Sequence, residues 1–505
     1  MKGEALRPPS GGASVRMYRP GLGDCFLLAL DREGGERPCY VLLDCGVQAG
    51  TEGGRERVER VALDLERTTG GRIDLLVATH PHWDHLSGFD TAREVFARIE
   101  IGEVWAAWNE DPHDPLAGRL RRHREIALRA LRASIDRLQA AGSSGSEQAE
   151  ALASLLGFYG EPGKAGDPWP VQRAMRAVLE RGDPPRFRRP GEGPLPLPGV
   201  PGAAAYVLGP PYDERTFLRS DPSRGSSELY GRQPVPGEET SFFAALLGAT
   251  PSPASVDAAG AGVEGWEAWE LEEMRQRSFP FDAGLRVEMA EARQRRFFRE
   301  HYFGGDDPER EQSLLWRRID DDWLRAAGDL ALQLDSDTND ASLALAFELT
   351  PGGKVLLFPG DAQVASWRSW HGLRWRSRRG EGRDEVTASD LLRRTVLYKV
   401  GHHGSHNATL REDGLERMTH PELVAMIPVD EAAARRPKGG SPKGWDLPYG
   451  PLLRRLLERT DGRVLRLDLG RPDRPQHVSA ADWAGFEAAV TETDLYLQFD
   501  VERGE

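Results

Sequence analysis

The chain has 505 residues, of which 39% are hydrophobic and 29% charged, and its net charge is -14. That composition is globular and supports a sizeable core, either as roughly three domains or as one catalytic domain with large insertions. The acidic balance excludes a protein that grips nucleic acid with its whole surface, but it leaves room for a local basic groove. Cys25, Cys39 and Cys45 form no C-x-x-C pair, and Cys25 and Cys45 sit beside apolar runs. Buried free thiols in a reducing cytosol are the expectation. Residues 1–12 lack the apolar centre of a signal peptide, and no run approaches the ~18 apolar residues of a membrane span. The chain therefore reads as a soluble, cytoplasmic protein without membrane contact.

In chain order, residues 14–31 give two strand-like pieces around Gly21-Leu22-Gly23-Asp24, and Tyr40-Val41-Leu42-Leu43 is a strand ending in Asp44-Cys45-Gly46. Strand, Gly-containing turn, strand is an antiparallel start. On their own, both Gly/Asp pairs read as turn chemistry. Residues 54–69 have apolar positions at Val58, Val61, Leu63 and Leu65 among charges, which predicts an amphipathic helix. The apolar run 73–78 predicts a short buried strand. It ends in Thr79-His80-Pro81-His82-Trp83-Asp84-His85, with ligand-type side chains spaced H-x-H-x-D-H. Imidazole and carboxylate suit zinc, manganese or iron, and four such groups directly after a strand can be aimed at one point. A further strand is expected over 104–108.

From about residue 111 to 202 the texture becomes helical. Helices are expected over 116–140, with many arginines, over 147–156 and over 171–181, with a Gly/Ser linker at 142–146 and a proline-rich connector over 184–201. The arginines either steer an anionic substrate or form a solvated face balanced by nearby acids. Residues 203–208 return to strand character and run into Gly209-Pro210-Pro211. Residues 212–338 name no ligand. They offer a strand or buried turn at 241–247, a flexible stretch at 251–265 and a helix over 314–334, and they suit a lid or a surface for a protein partner.

From Asn339 the sheet resumes with a turn and a strand over 339–347 and a strand over 354–358, the second strand terminating in Pro359-Gly360-Asp361-Ala362. Residues 395–400 form a strand leading to Gly401-His402-His403-Gly404-Ser405-His406. Adjacent histidines on an extended strand face opposite ways, so one ligates and the other lines the pocket; His402 is the favoured ligand. Arg374, Arg376, Arg378, Arg379 and Arg383 form a basic loop, either solvated or a rim for phosphate. A strand at 423–428, a helix from Pro451 to Arg459, and closing strands at 463–469 and 494–501 complete the reading.

The H-x-H-x-D-H stretch resembles the metal-binding signature of the metallo-β-lactamase fold superfamily. The wider set Gly-Leu-Gly-Asp, Asp-Cys-Gly, His-Pro-His-Trp-Asp-His, Asn-x-x-Ser-Leu, Pro-Gly-Asp-Ala and Gly-His-His-Gly-Ser resembles the hydrolase domain of ComEC-type DNA-uptake competence proteins, without their membrane channel. The resemblance covers about 1–110, 203–212 and 339–500. It implies an α/β fold, the metallo-β-lactamase αββα sandwich, with large mostly helical insertions. The fold's first half would be 1–110, a helical insertion 111–202, a return strand with a lid or partner-binding insertion 203–338, and the second half 339–505.

By the same resemblance His80 and His82 face a first metal, and Asp84 and His85 a second. Asp361 bridges the two, and His402 completes the set. Asp44 and Asp24 buttress the loop by hydrogen bonds, with His406 as a further supporting residue. The third histidine of the wider superfamily is absent, Gly209 standing in its place, as tends to be so in the ComEC-type branch. The implied cofactor is one or two divalent ions, Zn or Mn. The implied activity is a phosphodiesterase or nuclease using a metal-bound hydroxide, with Asp84 orienting the nucleophile and His403, Ser405 or His406 donating to the leaving oxygen. The implied partner is an anionic substrate such as DNA or RNA. The alternatives are a hydrolase of a small ester, lactone or thioester, and a binding or regulatory subunit with a vestigial site.

Overall fold

The computed structural model describes residues 6–140 save 33 and 36, 146–160, 168–213, 287, 289–314 save 306, 317, 322–378, 385–436 and 444–503. The expectations for 241–247 and 251–265, most of the Gly/Ser linker, Arg379 and Arg383 lie outside these residues. The chain begins with strands β1 (Ala13–Tyr18), β2 (Phe26–Leu30) and β3 (Cys39–Leu43), helix α1 (Gly54–Thr69), β4 (Arg72–Ala78), α2 (Trp83–Thr91) and β5 (Glu100–Ala107). Helices α3 (Pro115–Ala140), α4 (Ser146–Leu156) and α5 (Pro170–Leu179) follow, then β6 (Arg186–Arg188), β7 (Leu195–Leu197) and β8 (Val200–Gly209). After short helices within 289–314 come α6 (Asp322–Asp340), β9 (Ala344–Glu348), β10 (Val355–Phe358), α7 (Val364–Trp370), β11 (Arg374–Arg376), β12 (Glu385–Thr387), α8 (Ala388–Arg393) and β13 (Thr395–Lys399). The remainder is β14 (Val424–Ile427), α9 (Gly450–Arg459), β15 (Val464–Arg466), α10 (Ala480–Ala489), β16 (Val490–Glu492) and β17 (Tyr496–Val501).

Two sheets face each other. The first has the order β16-β17-β1-β2-β3-β4-β5-β6 and the second β15-β14-β13-β10-β9-β8-β7, while β11 and β12 form a separate ribbon. Alternation along a strand assigns side chains to layers. In β3, Cys39, Val41 and Leu43 enter the core between the sheets with Val207, Leu345, Phe347 and Leu397. Tyr40 and Leu42 point the other way, under α1 and the helices α3 to α6. On the far face of the second sheet, Trp367, Trp370, Leu391, Leu392, Leu452 and Leu456 of α7, α8 and α9 close the fourth layer. The result is the αββα sandwich expected from the sequence.

Helix α1 shows how the pattern works. Val58, Val61, Ala62 and Leu65 fall on one face and are buried, each fully buried Val or Leu contributing about 1.5–3 kcal/mol relative to exposure. Leu63, read as part of that face, is exposed. The helix stops at Gly70, whose left-handed φ of 65° lets Gly70 and Gly71 N–H groups reach the carbonyls of Arg67 and Glu66.

Several expectations need correction. The stretch 184–201, read as a connector, supplies β6 to the edge of the first sheet and β7 to the edge of the second; prolines are tolerated at such edges because a missing N–H costs nothing there. The charged start of β5, Glu100–Glu103, is largely solvent-facing and so carried no apolar signal. Helix α6 ends at Asp340, so Asn339 and Asp340 belong to its last turn. The closing strand expected over 463–469 is only Val464–Arg466.

Strands β3, β4 and β5 run parallel in the first sheet, as do β10, β13, β14 and β15 in the second. The ends of β3, β4, β10 and β13 carry Asp44, His80, Asp361 and His402, so both sheets deliver their chemistry to one rim. Loops beyond the carboxyl ends of parallel strands are where open sheets gather functional groups.

Candidate metal centre

The loop after β4 is held from below. Asp44 Oδ1 accepts from the Thr79 N–H (2.8 Å), and Oδ2 accepts from the Thr79 hydroxyl (2.6 Å) and lies 2.8 Å from His85 Nδ1. Asp44 adopts φ 54°, a strained setting for a non-glycine residue that this fixed network accounts for. The Asp24 N–H donates to Asp84 O (2.9 Å) and the Cys45 N–H to His85 O (2.8 Å), so both Gly/Asp turns clamp the first turn of α2. Gly46 packs so closely there that a Cβ would lie 2.4–2.5 Å from the Asp84 carbonyl and the His85 nitrogen. A glycine is required by proximity alone.

Asp84, His85, Asp361 and His403 converge, all buried, with one ligand atom of each within 4.8 Å of the others. His85 Nε2 is 3.1 Å from Asp361 Oδ2, and His403 Nε2 is 2.9 Å from Asp84 Oδ2. His80 and His82 adjoin them, with His80 Nε2 and His82 Nδ1 3.0 Å apart. Asp24, Asp44 and His85 make a second buried acidic group.

His403, where the sequence favoured His402, is the histidine brought into the four-residue cluster. Both follow β13 with positive φ, 44° and 52°. Alternation along an extended strand does not govern that turn. His402 remains at the edge: its N–H donates to Asp361 Oδ1 (2.9 Å) and its side chain is 3.5 Å from Gln363 Nε2. Ser405 and His406 are not brought into the cluster. The Ser405 hydroxyl donates to Asn407 Oδ1 (2.6 Å), and the His406 ring lies 6.0 Å from that of Tyr449.

Two groups escaped sequence reading. Lys399, the last residue of β13, is buried with its ammonium 2.5 Å from Asp24 Oδ2 and 2.8 Å from both Asp361 Oδ1 and the Gly360 carbonyl. A lysine inside the apolar run Thr395–Lys399 was the available signal. Asp335 of α6 places Oδ1 3.6 Å from His82 Nε2. Its signal was the acidic end of a helix whose sequence boundary stopped one residue short.

The electrostatics sort these groups. Burial lowers His80 well below the ordinary histidine value and brings His82 to about 3, so both are neutral imidazoles, the form that coordinates metal. Burial also opposes a charged His85, but Asp361, Asp24, Asp84 and Asp44 outweigh it and raise its pKa. Burial would raise Asp84, yet His85 and His403 bring it down to about 2. Asp361 is held well below the carboxylate range: burial opposes this, and Lys399 and His85 prevail.

The donor set fits a divalent cation. Asp24, Asp44, Asp84 and Asp361 are buried carboxylates, with Lys399 as the buried lysine among them; such an excess of negative charge is costly without a counter-charge. Asp84 Oδ1 and Asp24 Oδ1 are buried without hydrogen-bond partners. Mixed imidazole and carboxylate suits zinc or manganese.

Among the described residues no helix is long and apolar enough to cross a membrane. No curated protein matches the chain. The family model described as the metallo-beta-lactamase superfamily matches residues 19–200, a span that includes Asp24, Asp44 and the whole run from His80 to His85. Residues 19–200 thus carry a domain of the metallo-beta-lactamase superfamily, a family largely of metal-dependent hydrolases.

Proposed function

We propose that this protein is a metal-dependent hydrolase and that it acts on phosphodiesters. The observation that carries the hydrolase reading is the buried convergence of Asp84, His85, Asp361 and His403 beside the His80–His82 pair. His80 Nε2 and His82 Nδ1 would hold one ion, and Asp84, His85 and His403 a second, with Asp361 between. When bound, divalent ions would supply Lewis acidity that lowers the pKa of water towards 7 and neutralises phosphoryl oxygens. Asp84 Oδ1, free of other partners, would accept from the attacking water and aim it. Lys399 and the His402 N–H occupy Asp361 Oδ1, which leaves Oδ2, 3.1 Å from His85 Nε2, as the oxygen that would serve the ions. His402, only partly buried, stands at the rim where a substrate enters.

The choice of phosphodiester rests on the motif resemblance to the ComEC-type branch. The arginines of α3 lend it less support than their number suggested. Arg121 donates to the carbonyls of Asn109 and Asp111, and Arg124 pairs with Glu110.

The test is cleavage of labelled single- and double-stranded DNA, RNA and a chromogenic phosphodiester with manganese or zinc, beside His82→Ala. Cleavage by the wild type that disappears in the variant is expected. A protein that carries metal yet cleaves none of these would move the assignment to small esters, lactones or thioesters. A folded protein that takes up no metal would make the non-catalytic reading the better one.

A further inference from the structure

Each histidine of the centre has one ring nitrogen turned outward. His80 Nδ1 meets Thr79 Oγ1 (3.0 Å) and Ser342 Oγ (3.2 Å), His85 Nδ1 meets Asp44 Oδ2 (2.8 Å), and His403 Nδ1 meets the Pro428 carbonyl (2.7 Å). In all three the inward atom is Nε2. His82 is reversed. Its Nδ1 faces His80 Nε2, so its outward atom is Nε2, which is buried with no hydrogen-bond partner. Asp335 Oδ1 lies 3.6 Å from it, equally buried without a partner. The other oxygen of Asp335 is held by Asn339 Nδ2 (3.2 Å), one helical turn on.

We propose that Asp335 is the positioning residue of His82. It accepts the Nε2–H and so fixes the tautomer that leaves Nδ1 free to hold an ion. The inference rests on the metal-centre reading above. Two orphaned buried polar atoms facing each other are costly apart and matched together, and a carboxylate behind a ligating imidazole both orients the ring and raises its basicity. The rest of the site makes this more consequential. A Cβ on Gly209 would lie 2.6 Å from Ser366 Oγ and 3.1 Å from Trp370 Nε1, so a side chain there would run into α7. The His80–His82 pair gets no third histidine from that strand, and its ion depends on how firmly these two rings are held. The support comes from Asp335 in α6, a position outside both the family match and the stretches that carried the resemblance.

The experiment is metal titration of the metal-free full chain, comparing wild type, Asp335→Ala, Asp335→Asn and Asp337→Asn. Zn²⁺ affinity is read by competition with a chromophoric chelator, and Co²⁺ binding by its visible absorption bands. Urea unfolding in EDTA establishes that each variant is folded. Asp335→Ala should weaken one of the bound ions about 10- to 100-fold and alter the corresponding cobalt bands. Asp335→Asn keeps an acceptor oxygen and should lose clearly less, while Asp337→Asn, a charge removed from the same helix, should bind as wild type does. Wild-type affinity in Asp335→Ala overturns the proposal. So does an Asn variant as weak as the Ala variant, which would make Asp335 a direct ligand. A wild type that takes no metal removes the centre itself, and is thereby distinct from failure of this inference alone.

Discussion

Replacing Lys399 with methionine removes a buried ammonium from the site's charge balance. The side chain is 3% exposed and contacts Asp24, Asp361 and the Gly360 carbonyl. Methionine fills nearly the same volume, so the change is in charge. It leaves two buried carboxylates without their cation, and breaking a buried pair by removing one partner costs about 3–5 kcal/mol. Burial would lower the lysine pKa, but Asp24 and Asp361 together raise it above the ordinary lysine value. A raised value means the stabilisation is complete below the ordinary lysine pKa and fades only as pH climbs through the folded value, so the gap to Lys399→Met should be flat over about pH 6–9. Urea unfolding in EDTA measures it. With zinc or manganese present the gap should narrow, because a bound cation supplies part of the missing charge. Adding Asp24→Asn to Lys399→Met should recover part of the loss, as paired neighbours are not additive. A cost under about 1 kcal/mol in EDTA, or strict additivity of the two changes, would refute the reasoning.

Two further outcomes are expected. His403→Ala should lower affinity for one ion by at least about 10- to 100-fold, the range known even for groups that only support a ligand, whereas His402→Ala should leave metal content at the wild-type level; equal losses in chelator competition would reverse the assignment. Gly46→Ala should displace the Asp84–His85 backbone that its methyl would strike. Misplacement of reacting groups by about 1 Å can cost on the order of 100-fold in rate. A variant with wild-type kcat/KM would show that the loop yields freely.

Much of the sandwich was legible because its strands are covered on both faces and so read as unbroken apolar runs, as at Ile73 to Ala78 and Val355 to Phe358. Asp44 and Asp361 were legible because each ends such a run. The choice between His402 and His403 was not, since it turns on two successive residues in left-handed conformation, which no spacing reveals. Strands β6 and β7 were hidden because they are short edges among prolines and charges. Lys399 and Asp335 were hidden for another reason: their significance lies in partners far along the chain, such as the pairing of Lys399 with Asp24. Local sequence describes an isolated lysine or a helix-end aspartate equally well as surface.

Strand β1 has β2 on one side and β17 on the other, and Ser14 bonds to Asp500, 486 residues away along the chain. On a ribosome adding roughly 5–20 residues each second, the partner for that edge arrives on the order of 25–100 s after β1 has emerged. For all of that time one side of β1, with its row of amide and carbonyl groups, is open to any other extended segment, including the same strand on a neighbouring nascent chain. Biogenesis of this protein therefore carries a waiting period written into its topology. Its yield in a cell should depend more on what shields the nascent first sheet than on the stability of the finished fold.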